Sequence, residues 1–134
     1  MEHRQGKPKI SVISTPDYEI ETMQKAVDRH FALLDFEKKV NPTTKVLLKP
    51  NLLMKRSPEQ GTTTHPALVL AVIRWLERRG IAHITIADSP GGPFTTGALY
   101  GVYKSCGMQD ITKDTVALLN YDVGHQVVSH PEGV

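Results

Sequence analysis

One cysteine, Cys106, is all the thiol chemistry in this chain of 134 residues. A single thiol excludes an internal disulfide, and it excludes an iron–sulfur cluster ligated by one copy alone. It also fits a reducing compartment. Aromatic residues are scarce, at 6%. Lys and Arg are scattered among acids, with a net charge of only +2. The clustered basic face of a nucleic-acid binder is therefore missing. Long apolar runs are missing too. The longest, Ala67–Ile73, falls far short of the roughly 20 residues that span a bilayer. Met1–Lys9 is polar and basic with no apolar stretch behind it, so no signal-peptide pattern is visible. Together these absences point to a cytoplasmic protein with no nucleic-acid and no membrane partner.

What is present is enough apolar sequence for a core: 40% hydrophobic against 22% charged. That balance belongs to a folded domain rather than a disordered chain. Residues 1–9 are expected to form a flexible arm, and residues 10–134 a single α/β domain. Ile10–Ser14 is a strand candidate. Thr15-Pro16-Asp17 then carries the signature of a helix start. Ile20, Met23, Val27, Phe31 and Leu34 follow at helical spacing. After Asn41-Pro42, Lys45–Lys49 is a second strand. A long polar loop, roughly Met54 to Thr64, follows it; connections of about 2–6 residues are usual there, and long ones at that end of a sheet are often functional. His65-Pro66 opens a helix so apolar that burial on more than one side is expected. Arg78 and Arg79 fall in its last turn and Gly80 ends it.

Ile81–Ala87 is a third strand, the turn Asp88–Pro93 leads into a helix near Thr95–Cys106, and Gly107 stops that helix. Thr115–Leu119 is a fourth strand, and His125–His130 reads as a fifth. The order β-α-β-α-β-α-β predicts a three-layer α-β-α stack. Its sheet would be mainly parallel, with about four to five strands buried on both faces.

In such sheets ligands bind beyond the carboxyl ends of the strands. Polar groups gather at those ends: Ser14 and Thr15, Lys49 and Asn51, Asp88 and Ser89, Asn120 and Asp122. Lysine offers a point charge to a phosphate or carboxylate. Asp88 offers a hard oxygen to a metal ion. Gly91 and Gly92 let backbone amides approach a ligand beside a helix start. Thr64 and His65 open the neighbouring helix. The candidate ligand-binding set is thus Lys49, Asn51, Thr64, His65, Asp88, Ser89, Gly91 and Gly92, with Asp88 also a candidate metal ligand. The competing reading is that Pro, Asn, Asp, Ser and Gly make turns wherever strands end. The glycines match neither the phosphate-loop nor the dinucleotide fingerprint. His125 and His130, five apart, would face opposite sides of a strand.

These motifs carry a resemblance. Lys49-Pro50-Asn51-Leu52, Thr63-Thr64-His65-Pro66 and Ile86-Ala87-Asp88-Ser89-Pro90-Gly91-Gly92, in this order, resemble the first half of the uncharacterised family called domain of unknown function 362. Cys106-Gly107-Met108 and Leu119-Asn120-Tyr121-Asp122 are similar to it too. The likeness covers about residues 8 to 125. It implies an N-terminal half of a larger protein, linked to iron–sulfur redox chemistry, because members often carry a four-iron four-sulfur cluster in a cysteine-rich region. That region has no counterpart here, so this chain is expected to bind no cofactor of its own. Two function classes stay open. One is an enzyme half-site, ligand- or metal-binding, completed by another segment. The other is a non-catalytic domain that binds a small anionic ligand. An incomplete sheet would also favour a homo-oligomer.

Overall fold

The computed structural model describes residues 9–124. Its first helix, α1 (Ile20–Leu33), starts later than the Thr15-Pro16 signature predicts. Asp17 Oδ1 accepts the Glu19 N–H at 3.0 Å, and this local turn occupies the stretch before the helix. The expected apolar stripe holds. Met23 and Val27 are buried, with Ile20 and Phe31 packed against the core.

The second helix, α2 (Pro66–Glu77), begins where sequence places it. His65 is its N-cap, Pro66 its first residue, and Gly80 sits beyond its end at φ 74°. Val69, Ala71, Ile73, Trp75 and Leu76 are all buried, which is why so apolar a helix is stable here. The Tyr18 ring stacks on His65 at one end of α2, while Asp28 pairs with Arg78 at the other. Helices α1 and α2 therefore run in the same direction, side by side.

The sheet consists of β1 (Lys45–Leu48), β2 (His83–Ile86) and β3 (Leu118–Leu119), in that order and all parallel. Helix α2 crosses from β1 to β2. Helix α3 (Thr96–Ser105) and the short α4 (Met108–Ile111) cross from β2 to β3. The last was not visible in sequence, because Gly107 was expected only to end a helix. Thr95 caps α3, its hydroxyl accepting the Ala98 N–H at 3.2 Å.

Two steps across the sheet in one direction, with right-handed crossovers, put both connections on the same face. Burial follows that rule. Val46, Leu48, Ile84, Ile86 and Leu119 align on one face and belong to the core. On the other, Leu47 is 65% and Leu118 70% exposed. The expected three-layer stack with strands buried on both faces thus becomes, among the described residues, an α/β sheet covered on one face. Among the described residues the sheet has three strands, and Ile10–Ser14 pairs with none of them: Ile10 is 86% and Val12 90% exposed. The expected strand His125–His130, like most of the N-terminal arm, lies outside the described residues.

Candidate functional site

Two loops meet at the carboxyl edge of the sheet. One leaves β1 through Lys49-Pro50-Asn51; the other leaves β2 through Asp88-Ser89-Pro90. Asp88 joins them. Its side chain is 3% exposed, and Lys49 Nζ donates to Oδ1 at 2.8 Å. The buried Leu52 N–H donates to Oδ2 at 2.9 Å. A buried carboxylate needs such partners, because an unpaired one is expensive. Lys49 itself keeps its ammonium largely in water.

The stitching continues outward. The Gly91 N–H donates to the Leu53 carbonyl at 2.9 Å. The Cys106 thiol, fully buried, lies 3.5 Å from the Met54 carbonyl and 3.9 Å from that of Leu52. Asn51 and Thr64 exchange two bonds: the Asn51 N–H donates to Thr64 Oγ1, and the Thr64 N–H to the Asn51 carbonyl, each at 2.9 Å. The long loop is therefore held at both its ends.

Of the expected ligand-binding residues, the structure brings Lys49 and Asp88 into contact. Asn51 and Ser89 lie exposed near this pair without a described side-chain bond to it. Thr64 serves the loop. His65 Nδ1 accepts the Ala67 N–H at 3.2 Å and the ring stacks on Tyr18 with centroids 4.1 Å apart. Its Nδ1 is thus an acceptor in the cap, which leaves the proton on Nε2. Gly91 spends its amide on Leu53, whereas Gly92, at φ 100°, has open space where a Cβ would be. Asn120 and Asp122 are turn formers: their side chains accept the Asp122 and Gly124 amides at 2.8 and 2.7 Å. Asp88, expected also as a metal ligand, has one oxygen on an ammonium and the other on an amide. Among the described residues no group of three or more His, Cys, Asp or Glu side chains could hold a metal ion.

Sequence reasoning passed over two residues here. A cavity of about 440 Å³ is lined by Met54, Lys55, Arg56, Pro90, Gly91, Pro93, Ala98 and Val102. It lies between the long loop and the glycine turn, against the first turn of α3. Lys55 is laid across α3, so close that a Cβ on Gly101 would fall 2.6 Å from its Nζ. Among the described residues neither Lys55 nor Arg56 joins an ion pair. Thr96 and Gly97, the first two residues of α3, have amides with no intrahelical acceptor. The signal in sequence was the Lys55-Arg56 pair within a loop already marked as long. Behind the cavity, Tyr103 is fully buried and its hydroxyl donates to the Asn120 carbonyl at 3.0 Å. Burial, with the nearby Asp88 charge adding to it, pushes this phenol above its ordinary range, so it stays a neutral donor.

The iron–sulfur cluster implied by resemblance does not fit these residues. Such a cluster is held by four thiolates, and the one thiol here is buried against carbonyl oxygens. No helix among the described residues is long and apolar enough to cross a membrane. Neither a curated protein nor a solved structure was found to match the chain. Residues 46–134 match the family described as "Domain of unknown function (DUF362)". That stretch starts inside β1 and takes in both site loops. The match covers more than half of the chain, and the chain belongs to this family.

Proposed function

We propose that this chain binds a small anionic ligand, phosphate- or carboxylate-bearing, in the cavity between Lys55-Arg56 and the glycine turn. One observation carries the reading: two cations without described ion-pair partners face a glycine turn and the first turn of a ten-residue helix across a cavity of about 440 Å³. Helix starts favour anions through unpaired amides and the helix dipole. Arginine adds a planar fork suited to two oxygens at once. Lys49 and Asp88 act as the frame, because the bonds from Asp88 and Gly91 fix where the long loop stands. Binding rather than catalysis is the reading favoured. The thiol is buried, the His65 Nδ1 is committed to a cap, and the Asp88 oxygens are both engaged. Metal-dependent redox chemistry in this family would draw its metal ligands from outside residues 9–124.

Calorimetric titration of the chain with inorganic phosphate tests this directly. Arg56→Ala is expected to weaken binding about tenfold, equivalent to roughly 1.4 kcal/mol. Gly101→Ala probes the position of Lys55 without removing it. The new Cβ would meet Lys55 Cε at 2.3 Å, so the lysine must swing away while the helix gains up to about 1 kcal/mol from alanine. A severalfold loss of affinity with no loss of stability is expected. Unchanged affinity in both variants would exclude this cavity.

A further inference from the structure

We infer that Ile10–Ser14 is an edge strand for β1, and that its docking carries the hydroxyls of Ser14 and Thr15 to the Lys49 side of the site. Direction comes first. Lys9 pairs with Asp35, beyond the C-terminal end of α1, and Ser11 Oγ lies 2.8 Å from His30 Nδ1 in its last turn. Ile13 to Pro16 border Thr22, Lys25, Ala26 and Arg29, nearer the start of α1. The segment thus runs opposite to α1. Helices α1 and α2 are parallel, and α2 runs opposite to the strands it joins. Ile10–Ser14 therefore already points the way β1 points.

Position comes second. In this layer α2 is the crossover from β1 to β2. Helix α1 packs beside α2, where the preceding crossover of a right-handed series belongs. Such a crossover starts from a strand on the outer side of β1. Among the described residues that side is free: β1 ends the sheet. Beside it runs a groove of about 230 Å³, lined by Leu47, Leu48, Pro50, Leu68, Val69 and Val72 among others. Ser11 and Ile13 face α1, so strand alternation turns Ile10 and Val12 to the open face on which Leu47 lies; the segment is strand-forming, and the edge offers unpaired backbone. With the strand parallel to β1, its end at Ser14 falls at the carboxyl edge, the edge at which Lys49 leaves β1.

This pairing stands apart from the anion reading, and its test uses no ligand. The Ala87 N–H donates to the Leu48 carbonyl, so the peptide groups of Leu48 face β2 and those of Leu47 face the free edge. Amide exchange of the whole 134-residue chain, resolved by residue in NMR, reads that edge. Leu47 N–H is expected to exchange about a hundredfold slower than an open amide. Ser11→Pro and Val12→Pro discriminate further. Alternate strand amides face the partner, so one of the two substitutions is expected to abolish the protection and the other to leave it. Free exchange at Leu47 in the wild-type chain would overturn the inference, as would protection indifferent to both prolines. Protection that grows with protein concentration would also overturn it, by assigning the edge to a second copy.

Discussion

Asp88→Ala is expected to lower the unfolding free energy by about 2–4 kcal/mol, measured as a shift of the urea midpoint at unchanged slope. The reason is the Leu52 amide more than the Lys49 charge. Leu52 is 0% exposed and its N–H has Asp88 Oδ2 as acceptor. Removing the carboxylate strands a buried donor, which costs roughly 1–3 kcal/mol beyond the lost bond. The ammonium of Lys49 is mostly in water and would simply be resolvated. Lys49→Met leaves the buried Asp88 carboxylate with the Leu52 amide but no cation, and is expected to cost about 1–2 kcal/mol, between an exposed and a fully buried ion pair and below Asp88→Ala. Asp88→Asn, which keeps an acceptor for Leu52, should fall between. Equal losses for Lys49→Met and Asp88→Ala would show that charge pairing, not anchoring of the loop, is what Asp88 supplies.

Trp75→Ala is expected to cost about 3–5 kcal/mol, the range for truncating a buried aromatic ring. Trp75 is among the largest fully buried side chains and sits where α1, α2 and the turn at Phe36–Lys39 meet. Phe31 meets its ring edge-on with centroids 4.6 Å apart, and Phe36 lies 5.8 Å away. Arg79 covers the ring at 3.5 Å and also pairs with Glu37. The cavity left by alanine would therefore loosen α1 from α2 as well as empty the core. Loss of helical signal should accompany the fall in the denaturation midpoint. A cost under about 1 kcal/mol, the size of a surface change, would mean that the α1–α2 contact is not part of the cooperative core.

Sequence made some of this legible and hid the rest, for physical reasons. Helix α2 was readable because His65-Pro66 and Gly80 bracket one continuous apolar stretch. The same holds for α3 between Thr95 and Gly107. The strands were readable as elements and overlong as ranges: Ile81 is buried yet precedes β2, and only Leu118–Leu119 of Thr115–Leu119 pairs. Apolar runs record burial, while strand limits record hydrogen bonding. Runs such as Val46-Leu47-Leu48 also cannot say which face is covered. That depends on the order of the strands, and order is absent from a one-dimensional pattern. The β-α-β unit alone anticipated that Lys49 and Asp88 leave the same edge of the sheet, not that they pair with each other. The bonds that the Leu52 amide gives to the Asp88 carboxylate and the Gly91 amide to the Leu53 carbonyl were not anticipated either, because they join groups far apart in sequence. Lys55 and Arg56 escaped notice for a related reason: two exposed cations become a site only when a turn about 35 residues later is placed opposite them.

Residue-resolved titration of the isotope-labelled chain with inorganic phosphate addresses the central claim. Saturable shifts are expected at Lys55, Arg56, Gly91 and Gly92 and at the first turn of α3, Thr96 to Ala98. Asp88 and Leu52 should move little, since their bonds frame the site without touching the ligand. Shifts that rise linearly without saturation across scattered surface lysines, or that saturate at a different place in the fold, would contradict the assignment of this cavity as an anion site.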